Sequence, residues 1–334
     1  MKHGKRTTIK DIAAACSVSL MTVSRVLNNK RGISKSTAAL VWEAARALNY
    51  TPNLVAKSLR VKETRTLGVV ISDSSHLLFA KMLKGIGDAA TAAGYSIIFA
   101  NTNQSREMEA EAIDVLTNKR IDGLLLAAPL RTDEDSLRGL KRSGVPFVLL
   151  MRSGGKVADS VVNDNYHGAR AIVDYLVQSG SRYIQMINLP RESQSGKERA
   201  RGFRQAMKSH GLHCRAENIL FSKPFIDDGE KAMLRLLDRG VRSGAIFCGC
   251  DLIAIGAMRA IASRGLNVPS DIRICGYDDI EMLDYMKVPL TTMRQPAYAI
   301  GETGVQLLVD RIRNPGRKPR HVVLPSDLII REST

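Results

Sequence analysis

The chain has 334 residues, 44% hydrophobic and 25% charged, and a formal net charge of +16. Its length exceeds one small module, and its composition is that of a globular protein, not a disordered or fibrous one. No apolar run reaches the roughly 18 residues that a membrane span needs, and polar sequence behind the basic N-terminus excludes a secretory signal, so a cytoplasmic protein with no membrane partner is expected.

The charge is concentrated. Residues 1–62 hold twelve Lys/Arg against two acids, Asp11 and Glu43, so a head of net +10 precedes a nearly balanced body. Such a head is the electrostatic footprint of a polyanion-binding module. Its periodicity is helical. Thr8 caps a first helix, with Ile9, Ile12 and Ala13 on one face and Asp11 where an acid suits the dipole. Cys16-Ser17-Val18 interrupts it. Ser19 caps a second helix with Val23, Val26 and Leu27 inward. Asn28 to Gly32 reads as a turn, and Ser34 or Ser36 starts a third helix with Leu40, Val41, Ala44, Ala45 and Leu48 on its face. A three-residue break between the first two helices makes a helix-turn-helix candidate. Pro52-Asn53 stops the next element, Asn53 can cap a short segment 54–60, and a polar linker follows.

Beyond Leu67 the pattern changes. Apolar runs at 67–71, 96–100, 123–128, 146–151, 160–162, 183–188, 244–249 and 272–277 alternate with amphipathic stretches such as 80–93, 107–118, 168–179 and 253–264. Buried strands alternating with helices imply parallel, doubly wound sheets covered on both faces, here in two lobes. Ligand groups then belong at the carboxyl ends of strands, beside a cleft. Cys16, Cys214, Cys248, Cys250 and Cys275 make no disulfide framework, and Cys248-Gly249-Cys250 lacks a second ligand pair, so neither metal nor cofactor is expected.

Residues 8–28, from Thr8-Ile9-Lys10-Asp11-Ile12-Ala13 to Thr22-Val23-Ser24-Arg25-Val26-Leu27-Asn28, closely resemble the N-terminal signature of the LacI/GalR repressors. Tyr50 to Arg60 resembles that family's hinge helix. Leu67-Gly68-Val69-Val70, Arg120-Ile121-Asp122-Gly123-Leu124, Val162-Asn163-Asp164-Asn165, Arg199-Ala200-Arg201-Gly202-Phe203, Gly276-Tyr277-Asp278-Asp279 and Pro289 to Gln295 follow in the family's order, so the resemblance spans the chain. It implies a helix-turn-helix head at 1–50, a hinge at 51–65 and a two-lobed, periplasmic-binding-protein-like effector domain at 66–334. Lobe 1 is expected at about 66–160 plus 294–317, and lobe 2 at about 161–293 plus 318–334. It also implies a DNA-binding transcriptional regulator of repressor type, whose affinity for a pseudo-palindromic operator changes with a small carbohydrate-related metabolite. A homodimer is expected, since no heptad repeat follows the body. The sequence departs from the family pattern at Ser17, usually Gly, at Met151, usually an acid, at Cys250, often Asn, and in the loop His76-Leu77-Leu78-Phe79.

The second helix can enter a major groove by its N-terminus, which places Leu20, Met21 and Arg25 outward. Arg25 has the fork that matches guanine O6 and N7, while Leu20 and Met21 offer apolar contact or, alternatively, pack on a neighbouring helix. Thr22 and Ser24 have short hydroxyls suited to phosphate oxygens, and the resemblance adds Thr8, Ser19 and Asn28 to the DNA-binding residues. By the resemblance, Asn53, Ala56, Lys57, Leu59 and Arg60 carry the hinge, with Leu59 as a minor-groove wedge. The resemblance places His76, Phe79, Arg152, Asp164, Ser195, Arg199, Phe225, Asp251, Asp278 and Gln295 in the effector cleft. The alternative for Arg199 is an ion pair between lobes. Met151 beside Arg152 makes the cleft less negative, which favours a sugar acid or sugar phosphate. Two rivals remain open: a solute-binding receptor without DNA binding, and a Rossmann-type enzyme. Gly85-Ile86-Gly87 lies within an amphipathic stretch, not at a strand end, which argues against the latter.

Overall fold

The computed structural model describes residues 7–28, 31–50, 63–127 and 140–334. The chain divides into two units, Met1–Thr64 and Arg65–Thr334. The expected hinge residues Asn53, Ala56, Lys57, Leu59 and Arg60 lie outside the described residues.

The head contains α1 (Ile9–Cys16), α2 (Leu20–Leu27) and α3 (Lys35–Ala47). Each start has a local cause. The Thr8 backbone N–H and hydroxyl both donate to Asp11 Oδ2 at 2.7 Å. Ser19 Oγ accepts from the Thr22 N–H at 3.1 Å, and Ser34 Oγ accepts from the Thr37 N–H at 3.1 Å. Such caps satisfy N–H groups that the first turn leaves without partners. Ser17 ends α1 with φ 53°, the left-handed conformation the turn requires, at a steric cost a glycine would avoid. Ile12, Ala13, Cys16, Val23, Val26, Val41 and Ala45 form the head's core. Leu40 and Leu48 are exposed, unlike the sequence expectation: α3 buries the narrower stripe of Val41 and Ala45.

The body holds two six-stranded sheets. Lobe 1 is built from β1 (Thr66–Ile71), β2 (Ser96–Asn101), β3 (Gly123–Ala127), β4 (Phe147–Leu150) and β5 (Asp159–Asn163), with α4 (Leu77–Ala92) and α5 (Arg106–Asn118). Lobe 2 follows with α6 (Asn165–Gln178), β6 (Ile184–Asn188), α7 (Gln194–Ser209), β7 (Ile219–Phe221), α8 (Ile226–Asp238), β8 (Gly244–Cys248), α9 (Asp251–Ser263), β9 (Ile272–Asp278) and β10 (Thr291–Arg294). The chain then supplies α10 (Ala297–Arg313), β11 (His321–Leu324) and β12 (Asp327–Ile329). Strand order is β11-β5-β4-β3-β1-β2 in lobe 1 and β12-β10-β9-β8-β6-β7 in lobe 2. All pairings are parallel except β10 with β12. Gly85 lies inside α4, where a Cβ would strike the Tyr298 backbone; it is a helix-packing glycine, not part of a phosphate turn.

Residues 318–324 were expected in lobe 2, but β11 pairs with β5 in lobe 1. The cause is Asp159. Its carboxylate accepts from Arg311 Nε at 2.8 Å, Arg317 Nη1 at 2.7 Å and the Arg320 N–H at 2.7 Å, which ties the returning chain to β5. The last crossing between lobes therefore falls between Leu324 and Asp327. Burial alone would raise the Asp159 pKa, but the bonds from Arg311 and Arg317 outweigh it and hold it below its ordinary value. Asp159→Ala leaves two largely buried guanidinium groups without their acid and is expected to cost about 3–5 kcal/mol. A lower urea midpoint checks this. Because the folded-state value is depressed, the wild-type contribution is present above the unfolded value, about pH 4, and is lost as pH falls below it.

Candidate DNA interface and effector cleft

On the head, the outward side of α2 is apolar at its N-terminus. Leu20 is 43% exposed and Met21 71% exposed, so neither is consumed by packing. Arg25 Nη2 donates to the Arg31 carbonyl at 2.7 Å, which steadies the guanidinium against the following turn. Ser19 Oγ and Thr22 Oγ1 lie 2.9 Å apart, and Asn28 Nδ2 donates to the Ser24 carbonyl at 2.7 Å. An exposed helix N-terminus with these hydroxyls and a basic surround fits a duplex groove.

In the body, a cavity of about 900 Å³ lies between the two sheets' carboxyl ends. β1 delivers Ser72 and Asp73, β4 delivers Met151 and Arg152, β9 delivers Asp278, and β10 delivers Gln295. His76, Phe79, Arg152, Ser195, Arg199, Phe225, Asp278 and Gln295 all line it. Asp164 and Asp251 do not. Asp164 caps α6, accepting from the His167 N–H at 3.0 Å, and pairs with the His167 ring. Asp251 is buried behind the wall, where Thr292 Oγ1 donates to it at 2.6 Å and the Ile280 N–H at 3.0 Å. Arg106 and Lys197 also line the cavity and were not anticipated; an exposed cation early in a helix looks like ordinary solvated surface. Met151 (φ 61°) and Asp278 (φ 131°) hold strained backbone at the wall, a frequent mark of functional positions.

Arg199 is 2% exposed, and its guanidinium carbon lies 3.6 Å from the Tyr277 ring centroid. It donates through Nε to Asn165 Oδ1 at 2.8 Å and through Nη1 to the Gly249 carbonyl. Both partners belong to lobe 2, so these bonds fix the group in its own lobe and form no interlobe ion pair. Gln295 Nε2 donates to Asp278 Oδ1, and its buried Oε1 has no partner. Contacts between the lobes include the Ser153 N–H donating to Gln194 Oε1 at 3.0 Å, Asn163 Nδ2 donating to the Tyr277 hydroxyl at 3.4 Å, and His76 Nε2 at 3.8 Å from Asp278 Oδ2. Phe79 meets His76 edge-on at 5.8 Å, and Phe225 adds a half-open apolar surface. Burial is the main reason that the His76 pKa is lowered. It is also the main reason that those of Asp251 and Asp278 are each pushed up to about 7, with Asp278 raising Asp251 further. Among the described residues no His/Cys/Asp/Glu cluster could hold a metal, and no helix is long and apolar enough to cross a membrane.

Residues 8–53 match the model described as bacterial regulatory proteins, lacI family, and residues 173–334 match the periplasmic binding protein-like domain. The HTH-type transcriptional repressor PurR of Proteus mirabilis (strain HI4320) is 33% identical over 330 residues, covering 98% of this chain and 96% of the relative. The chain belongs to the LacI family. Among solved structures, a lac repressor dimer bound to operator and the anti-inducer ONPF is 29% identical, with a TM-score of 0.90 and 99% of both chains covered. A transcriptional regulator CelR–cellobiose complex is 30% identical, with a TM-score of 0.76, covering 98% of this chain and 100% of that one. This LacI-family protein is thus a DNA-binding transcription regulator with an effector-binding body.

The Asp251–Asp278 pair gives the regulator a pH signature. An acid whose folded value lies above its unfolded one contributes less stability as pH rises between the two, here from about pH 4 to pH 7. Asp251→Asn keeps an acceptor for the Ile280 N–H, and the Thr292 hydroxyl can turn to accept. The variant should lose less stability between pH 5 and pH 8 than wild type, by on the order of 1 kcal/mol. Urea midpoints at both pH values read this; equal slopes would contradict it.

Proposed function

We propose that the chain is a cytoplasmic homodimeric repressor, without catalytic activity, that reads a pseudo-palindromic operator through α2 and changes its DNA affinity when a carbohydrate-related metabolite occupies the cleft. The carrying observation is the exposed face of α2, with Leu20 and Met21 in its first turn and Arg25 in its last, in a head of net +10. Curated relatives named as repressors support the polarity. Dimerisation is supported by β2, the edge strand of the lobe 1 sheet, where Ile98 and Phe99 are exposed, and by exposed Met108 and Val115 on neighbouring α5. An unpaired edge with apolar side chains favours association with another copy. Two heads related by a two-fold axis then require an operator of matching symmetry. Through linkage, the effector shifts DNA affinity only as far as it binds the two states unequally.

Selection of bound duplexes from a random pool should return an inverted repeat. Arg25→Ala should weaken that operator by about 1–3 kcal/mol per half-site, while affinity for unrelated DNA stays close to wild type. Titration of both duplexes by fluorescence anisotropy checks this, and equal losses on the two would remove the reading role from Arg25.

A further inference from the structure

Resting on the reading of the cleft as the effector site, we propose that its ligand is a polyhydroxylated carboxylate, an aldonic or uronic acid, and that Arg106 and Lys197 select it from opposite lips. The first ground is placement. Arg106 is the first residue of α5 in lobe 1, and Lys197 lies in the first turn of α7 in lobe 2. Both are exposed, both line the cavity, and among the described residues neither makes an ion pair. A cation in a helix's first turn opposes the helix dipole. Glu107 and Glu109 share the α5 first turn and offset Arg106, but no acid stands in the α7 first turn to offset Lys197, so the lobe 2 lip keeps an uncompensated cation facing the cavity.

The second ground is charge. Among the described residues, Arg106, Arg152, Lys197 and Arg199 line the cavity with Asp73, Glu192 and Asp278, and Glu109 lies 3.9 Å from Arg152. Arg152 and Arg199 are thus engaged by the protein itself, which leaves the lip cations Arg106 and Lys197 to meet a ligand carboxylate. The α8 N-terminus adds to them: Phe225, its cap, lines the cavity and supplies no side-chain acceptor, so the first-turn N–H groups lack that partner. The third ground is the hydroxyl requirement. Gln295 is 2% exposed, lines the cavity, and presents Oε1 without a donor, while Asp278 offers a second acceptor. A buried acceptor calls for a ligand O–H. A carboxylate between Arg106 and Lys197 would also relieve the repulsion of like charges on the two lips, and so favour closure.

The test is calorimetric titration of the full chain with D-gluconate, D-galactonate, D-glucuronate and D-galacturonate, beside D-glucose, D-sorbitol, glucose 6-phosphate and inorganic phosphate. At least one acid should bind roughly tenfold or more tightly than its neutral counterpart, and its affinity should fall as salt is raised. Arg106→Gln and Lys197→Gln should each cost about tenfold for the acid, with the thermal midpoint of the free protein not lowered. Tighter binding of neutral sugars, binding of the phosphates alone, no binding of any acid, or unaltered acid affinity in both variants would overturn the proposal. Operator binding of the ligand-free chain, measured in parallel, separates the failures: intact DNA binding with no acid binding removes only the ligand class, whereas loss of DNA binding removes the regulator reading itself.

Discussion

Arg199 cannot be left in a protein interior without compensation, and the cleft is arranged around that constraint. Burying a guanidinium without partners costs more than folding can spare, so its donors must be met and its charge offset. Asn165 and the Gly249 carbonyl meet two nitrogens, Tyr277 presents its ring face, and Asp278 stands close enough for the cation to offset part of the upward push that burial gives its carboxyl. These four come from three parts of lobe 2: Asn165 from the start of α6, Gly249 from the end of β8, and Tyr277 and Asp278 from the end of β9. One arginine thus holds three element ends in register and fixes the floor on which a ligand rests.

The same arrangement suits a sensor. Lobe 2 contributes a prebuilt, strained and buried polar surface, while lobe 1 brings His76, Phe79 and Arg152 from its own strand ends. Among the described residues the lobes are joined across the cleft by single polar contacts, such as Ser153 to Gln194 and His76 to Asp278. Contacts of that size leave the relative free energies of open and closed forms within reach of a ligand's differential affinity. A rigid floor and a lightly tethered opposite wall are what a population shift needs.

Local signals were the most legible in the sequence. Thr8, Ser19 and Ser34 cap helices through contacts with residues three positions away, and most continuous apolar runs became buried parallel strands, the run at 96–100 being the exposed edge strand β2. What escaped depended on distant partners. β10 is polar, Thr291-Thr292-Met293-Arg294, and becomes a strand because β9 and β12 flank it. β11 sits in lobe 1 because Asp159, over 150 residues earlier, binds Arg317. α7 is mostly polar, and its buried stripe includes Arg199. In the site, eight of the ten cleft residues inferred by family resemblance line the cavity; Asp164 and Asp251 instead satisfy backbone donors nearby. Lys197 left one readable trace, a positive charge in a helix start with no acid beside it, whereas Arg106 is followed by Glu107 and Glu109 and left none.

The account stands on transmission between cleft and head, and linkage makes that measurable without assuming a direction. The acid that binds most tightly is titrated into the full chain by calorimetry, with and without saturating operator duplex. The account predicts that operator changes the acid's dissociation constant, by the same factor that the acid changes the operator's. An acid affinity that is the same with operator bound as without it would contradict the account, since the cleft and the head would then be independent.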